Sequence, residues 1–80
     1  MVFEKSTYSI FKSKQFADFL SQNKISKLYF CGLDLDACIL ASVFEAFDLG
    51  FDFEVLYSLS GSSAKIDIDD PVRKIIKRNL

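Results

Sequence analysis

Cys38 sits where a thiol does chemistry: it follows an apolar strand candidate and a Gly-containing loop, and it stands just inside the start of an expected helix. Backbone N–H groups and the positive dipole end at such a helix start favour the nucleophilic thiolate. In open α/β folds, the carboxyl end of the strands is also where ligands collect. The other reading of Cys38 is a small core residue. Cys31 lies seven positions earlier, a spacing that matches neither CxxC nor a zinc site. Histidine is absent, which removes His-based general bases, Ser-His and Cys-His pairs, and His-containing metal sites. Asp34 and Asp36 flank the same loop, with Asp36 placed to cap the helix. Ser60–Ser63 has the composition of a phosphate loop, but Ile66 and Ile68 separate it from the next helix, so it reads as a flexible connection.

The elements that must position these residues follow from pattern. Val2–Glu4 is a short strand candidate, and Lys5–Ser13 is a polar stretch. Ser13 caps a helix with Phe16, Phe19 and Leu20 on one face, and Asn23 ends it. Leu28–Cys31 is continuously apolar, the pattern of a strand covered on both faces, and Gly32 closes it. Ala37–Leu49 reads as a helix stopped by Gly50, with Ser42, Glu45 and Asp48 as one narrow polar strip and the rest buried. Phe51–Tyr57 gives a third strand, and Leu59–Asp69 is mainly loop. Asp70-Pro71 opens a last helix whose apolar face is Val72, Ile75, Ile76 and Leu80, with Lys74, Lys77 and Arg78 toward its carboxyl end.

This alternation predicts an α/β fold: a partial doubly wound, Rossmann-like parallel sheet of three strands with helices on both faces. Eighty residues allow one domain. Three strands leave a sheet edge open and apolar surface uncovered, so residues 1–80 read as half a domain, which would self-associate or be completed by another chain.

Half the residues are apolar and nine are Phe, too apolar a composition for disorder. Ten basic residues against eleven acidic leave a net charge of −1, without the positive field that holds nucleic acid or anionic membranes. The longest charge-free apolar run, Ala37–Phe44, is far short of the ~20 residues needed to span a bilayer. Glu4 and Lys5 interrupt any signal peptide, so the expectation is a cytoplasmic protein.

Two separated blocks carry a family resemblance. Gly32-Leu33-Asp34-Leu35-Asp36-Ala37-Cys38-Ile39-Leu40-Ala41-Ser42, followed by Ala46 and Gly50-Phe51, resembles the G-[LVI]-x-T-D-x-C-V-x-x-T-A stretch of the isochorismatase-like cysteine hydrolases, nicotinamidases included. Glu4-Lys5 with Tyr8-Ser9 and Phe11 is similar to that family's K-x-x-Y-S-A-F segment. The resemblance spans about residues 2–58 and implies that Cys38 is the nucleophile and Lys5 the cation beside its thiolate. It also implies an oxyanion hole in the loop of Leu33, Asp34 and Cys38, with a cis peptide at Leu33–Asp34.

The implied chemistry is hydrolysis of a C–N bond in a small amide-like substrate through a thioester, with no organic cofactor and no metal ligand assignable in this chain. The family's triad also contains an Asp from an earlier strand, for which this sequence offers no match, so weak or absent activity alone is the expectation. The family's Ala-Thr is Asp34-Leu35 here, and the Asp that commonly ends the next strand is Ser58. A non-catalytic interaction module is the alternative. A further one is a Mg-dependent phosphotransferase, because a strand followed by Asp34-Leu35-Asp36 is similar to the opening of the haloacid-dehalogenase type. That family expects Gly-Thr or similar where Ala37-Cys38 stand.

Overall fold

The computed structural model describes residues 2–64 and 67–80. A single 3-10 turn, Ile10–Lys12, leads into α1 (Lys14–Gln22), β1 (Lys27–Gly32), α2 (a π-helical turn Leu35–Ile39 running on through Leu40–Asp48), β2 (Asp52–Ser60) and α3 (Asp69–Asn79). Local chemistry sets several of these bounds. The Ser13 hydroxyl accepts the Phe16 N–H at 3.3 Å and caps α1. Gly50, at φ +84°, ends α2: its N–H donates to Phe47 O, and that of Phe51 donates to Ala46 O, the paired bonds of a Schellman motif.

β1 and β2 form a two-stranded parallel sheet, with Leu28 opposite Phe53 and Phe30 opposite Val55. The third strand expected at Val2–Glu4 is absent. Val2–Glu4 has no neighbouring strand to pair with, and the Phe3 ring packs instead on Phe16 and Phe19, with centroids 5.6 and 5.5 Å away. The expected cover on both faces is also corrected. Phe30, Leu35, Ile39, Val43, Ala46, Val72 and Ile76 form one core, to which Leu28, Phe53, Val55 and Tyr57 add. α2 and α3 therefore share one face of the sheet, while Tyr29, Cys31 and Glu54 on the other are exposed. Leu28–Cys31 is a parallel strand as expected; only the cover on its second face is missing, because an uninterrupted apolar run does not say whether that face is covered.

Helix starts move as well. α2 begins at Leu35 with Asp34 before it, so Asp36 lies inside the first turn and does not cap. α3 begins at Asp69, and Pro71 is its third residue, where an N–H would lack an intrahelical partner in any case. β2 runs on to Ser60, and the loop expected from Leu59 starts later; Ile66, part of that expected loop, lies outside the described residues. α2 is less enclosed than its composition implies, since Phe47 is exposed, as is Leu49 just after it. The Arg73 guanidinium lies 4.7 Å from the Tyr57 ring and ties α3 to β2. Among the described residues, no helix is long and apolar enough to cross a membrane.

Candidate functional site

The site forms where the amino-terminal segment crosses the start of α2. Ser42 and Glu45 stand three residues apart on α2 and meet that segment together. The Ser42 hydroxyl, in a nearly fully buried side chain, accepts the Ile10 N–H at 3.0 Å. Ser9 donates its hydroxyl to Glu45 Oε1, and Lys12 pairs with Glu45 Oε2 at 3.1 Å. The hydrogen bond from Ser9, then Lys12, holds the Glu45 carboxyl below its ordinary pKa against the opposing effect of burial. Of the polar strip read from the sequence, Ser42 and Glu45 fasten α2 to residues 9–12, while Asp48 stays exposed.

This fastening brings Lys5 and Cys38 together. Lys5 Nζ lies 3.4 Å from Cys38 Sγ and 2.7 Å from the Thr7 carbonyl oxygen. Cys38 is half-buried and Lys5 exposed. Both line a cleft of about 380 Å³ walled largely by apolar side chains, among them Phe16, Leu28, Tyr29 and Leu33. Among the described residues, Lys5 is the only charged one lining it. The arrangement can hold a small, mainly apolar molecule against a thiol with a cation at its side.

The peptide bond between Leu33 and Asp34 is cis. Leu33 is exposed at the cleft, whereas Asp34 serves the turn: its carbonyl oxygen accepts N–H groups from Ala37 and Ile39 at 3.2 and 3.0 Å. Its carboxylate does not line the cleft and accepts the Ser63 N–H at 2.8 Å.

Ser60–Ser63 is no loose connection. Ser62 donates its hydroxyl to Asp36 at 2.7 Å, Leu35 N–H donates to Gly61 O at 2.7 Å, and Gly61 N–H donates to Gly32 O at 3.1 Å. Ser60 adds its own hydroxyl, which accepts from Gly32 N–H at 3.3 Å. Residues 60–63 are laced to the loop that carries the cis peptide.

Ser9, Ser42, Glu45 and Ser62 were not singled out as site builders. The available signal was the three-residue spacing of Ser42 and Glu45 together with Ser9 in the upstream block. Among the described residues, no group of three or more His, Cys, Asp or Glu is placed to hold a metal ion.

No curated protein sequence matches the chain. Among solved structures, the nicotinamidase PncA from Bacillus subtilis superposes with a TM-score of 0.84 at 24% identity, over 94% of this chain and 41% of that one. At that identity the likeness speaks for the fold, and the chain spans about two-fifths of the enzyme's length. The isochorismatase domain model matches residues 1–67. Sequence blocks, fold and match coincide, and the chain belongs to the isochorismatase domain family.

Proposed function

We propose that this chain carries the nucleophile-bearing part of a cysteine hydrolase that cleaves the C–N bond of a small amide. The observation that carries the reading is the 3.4 Å approach of Lys5 Nζ to Cys38 Sγ, two residues 33 positions apart in sequence. Cys38 attacks the amide carbonyl, the amine leaves, and water hydrolyses the thioester. Lys5 stabilises the thiolate and the charge that develops on attack. Backbone N–H groups at Asp34 and Cys38 serve the oxyanion. Leu35 N–H is already committed to Gly61 O. The apolar cleft favours an uncharged amide such as nicotinamide or a related aromatic or aliphatic primary amide.

The missing role is the general base. Asp34 and Asp36 are engaged with Ser63 and Ser62, and among the described residues no carboxylate lines the cleft. A positioned base is worth typically ~10²–10⁴-fold, so the 80-residue chain turns amides over feebly until a carboxylate comes from another chain or from further sequence.

An activated ester tests the reading directly, because its leaving group needs no protonation. One equivalent of acyl group should appear on Cys38 by peptide mass mapping, and Lys5→Met should slow its arrival. Acylation of Cys31 alone, or none at all, overturns the proposal and favours the second reading, a non-catalytic association module. That reading rests on the single pairing of β1 and the exposure of Tyr29 and Leu33 beside it.

A further inference from the structure

Both cysteines are free, and both line the same cleft beside Lys5. Their surroundings differ in a complementary way. Cys38 is half-buried with an ammonium group 3.4 Å from its sulfur, a cation placed beside the atom that attacks. Cys31 is exposed and sits where the β1–β2 ladder breaks: Phe30 pairs with Val55 and Gly32 with Ser60, leaving Cys31 without a partner in the register. Gly32 follows at φ +112°, and a Cβ there would meet nothing within 4 Å. Cys31 itself therefore has no ladder pairing to break in turning toward Cys38, although Gly32 after it is held by Ser60 and Gly61.

We infer that Cys38 and Cys31 are a redox pair, oxidised by a hydroperoxide to an intramolecular disulfide that closes the site reversibly. The Cys38 thiolate attacks one peroxide oxygen. The S–O bond forms, the O–O bond breaks, and the leaving oxygen takes a proton from solvent, giving a sulfenic acid and water or an alcohol. The Cys31 sulfur then attacks the Cys38 sulfur. The S–S bond forms, the S–O bond breaks, and the departing hydroxide takes the Cys31 proton as water. The thiols lose two electrons in all, and the peroxide gains them. A thiol reductant restores both cysteines. The pair shares with the hydrolase reading the reactive Cys38, the Lys5 beside it and the cleft they line, and adds Cys31.

The test treats the 80-residue chain with equimolar hydrogen peroxide and follows intact mass. Cleavage at Asp34 or Asp36, which separates the two cysteines, then shows whether their peptides are joined. The expected result is a monomer lighter by two hydrogens, with joined peptides, reversed fully by dithiothreitol. Cys31→Ser should stop at a sulfenic acid trapped by dimedone, and Cys38→Ser should lose the fast reaction. A wild-type chain that accumulates dimedone adduct or sulfinic acid without joined peptides overturns the proposal, as does disulfide formation only between chains. Acylation of Cys38 without pairing defeats this inference alone, and pairing without acylation defeats the hydrolase reading alone.

Discussion

Ser42 accepts the backbone N–H of Ile10 at 3.0 Å from a side chain that is 3% exposed, and this bond sits between the helix bearing Cys38 and the segment bearing Lys5. Ser42→Ala leaves that part-buried N–H without its side-chain partner. An unsatisfied buried donor costs about 1–3 kcal/mol, a large fraction of the stability of a small domain. The expected result is a lower denaturant midpoint with an unchanged slope, together with slower acylation of Cys38 as Lys5 loses its anchorage. Wild-type stability in this variant would show that Ser42 does not hold the segment.

Glu45 gives the same junction a pH dependence. Its folded pKa lies below the ordinary 4.5 because Ser9 and Lys12 favour the carboxylate. The stability this contributes is complete above about pH 4.5 and is lost as pH falls through the lower folded value. Glu45→Gln should flatten that part of the profile of melting temperature against pH and lower stability at neutral pH. A variant whose acid limb superposes on that of the wild type would rule Glu45 out as its source.

The site was legible where its signals are local. Ser13 as a cap and Gly50 as a stop each act through bonds within a few residues, and both appear as read. Cys38 next to Lys5 was legible only through two matching sequence blocks, because no periodicity links residues 33 apart. The lacing of Ser62 and Ser63 to Asp36 and Asp34 was not legible: such bonds cross 26 and 29 residues and depend on strand register. The same limit misplaced Asp36 and Asp70 as caps. Both lie within two residues of the observed helix starts, the usual scatter of such boundaries. Val2–Glu4 misled because apolar residues near an open sheet look like a strand, whereas Phe3 found ring partners on α1.

Exposure and chemistry make opposite demands on the two thiols, which sharpens the labelling experiment. Cys31 is the more accessible, yet Cys38 has the ammonium group beside its sulfur. Iodoacetamide at neutral pH should modify Cys38 first, since the ammonium group stands beside the sulfur that attacks. In Lys5→Met the order should invert, with the exposed Cys31 leading. A wild-type chain in which Cys31 leads would mean that accessibility outweighs the contact with Lys5, and the assigned nucleophile would fall.

The edge of β1 carries the last expectation. Among the described residues β1 pairs only with β2, so its other edge presents unpaired N–H and C=O groups beside Tyr29, 59% exposed, and Leu33, 68% exposed. Unprotected edges of this kind recruit further strands, and the exposed rings and aliphatic groups add apolar area to bury. The chain alone should therefore self-associate at micromolar concentration, visible as a concentration-dependent mass in light scattering. Tyr29→Lys tests the site of contact, because a lysine on an edge strand opposes strand addition while its stem still covers the sheet. Tyr29 lies on the exposed face, outside the core formed with Phe30, so the variant should keep its fold and shift toward monomer. Unchanged association in Tyr29→Lys would move the contact elsewhere, to the exposed Phe47 and Leu49 at the end of α2. A cooperative wild-type monomer at the same concentration would show that the β1 edge is tolerated in water as it stands.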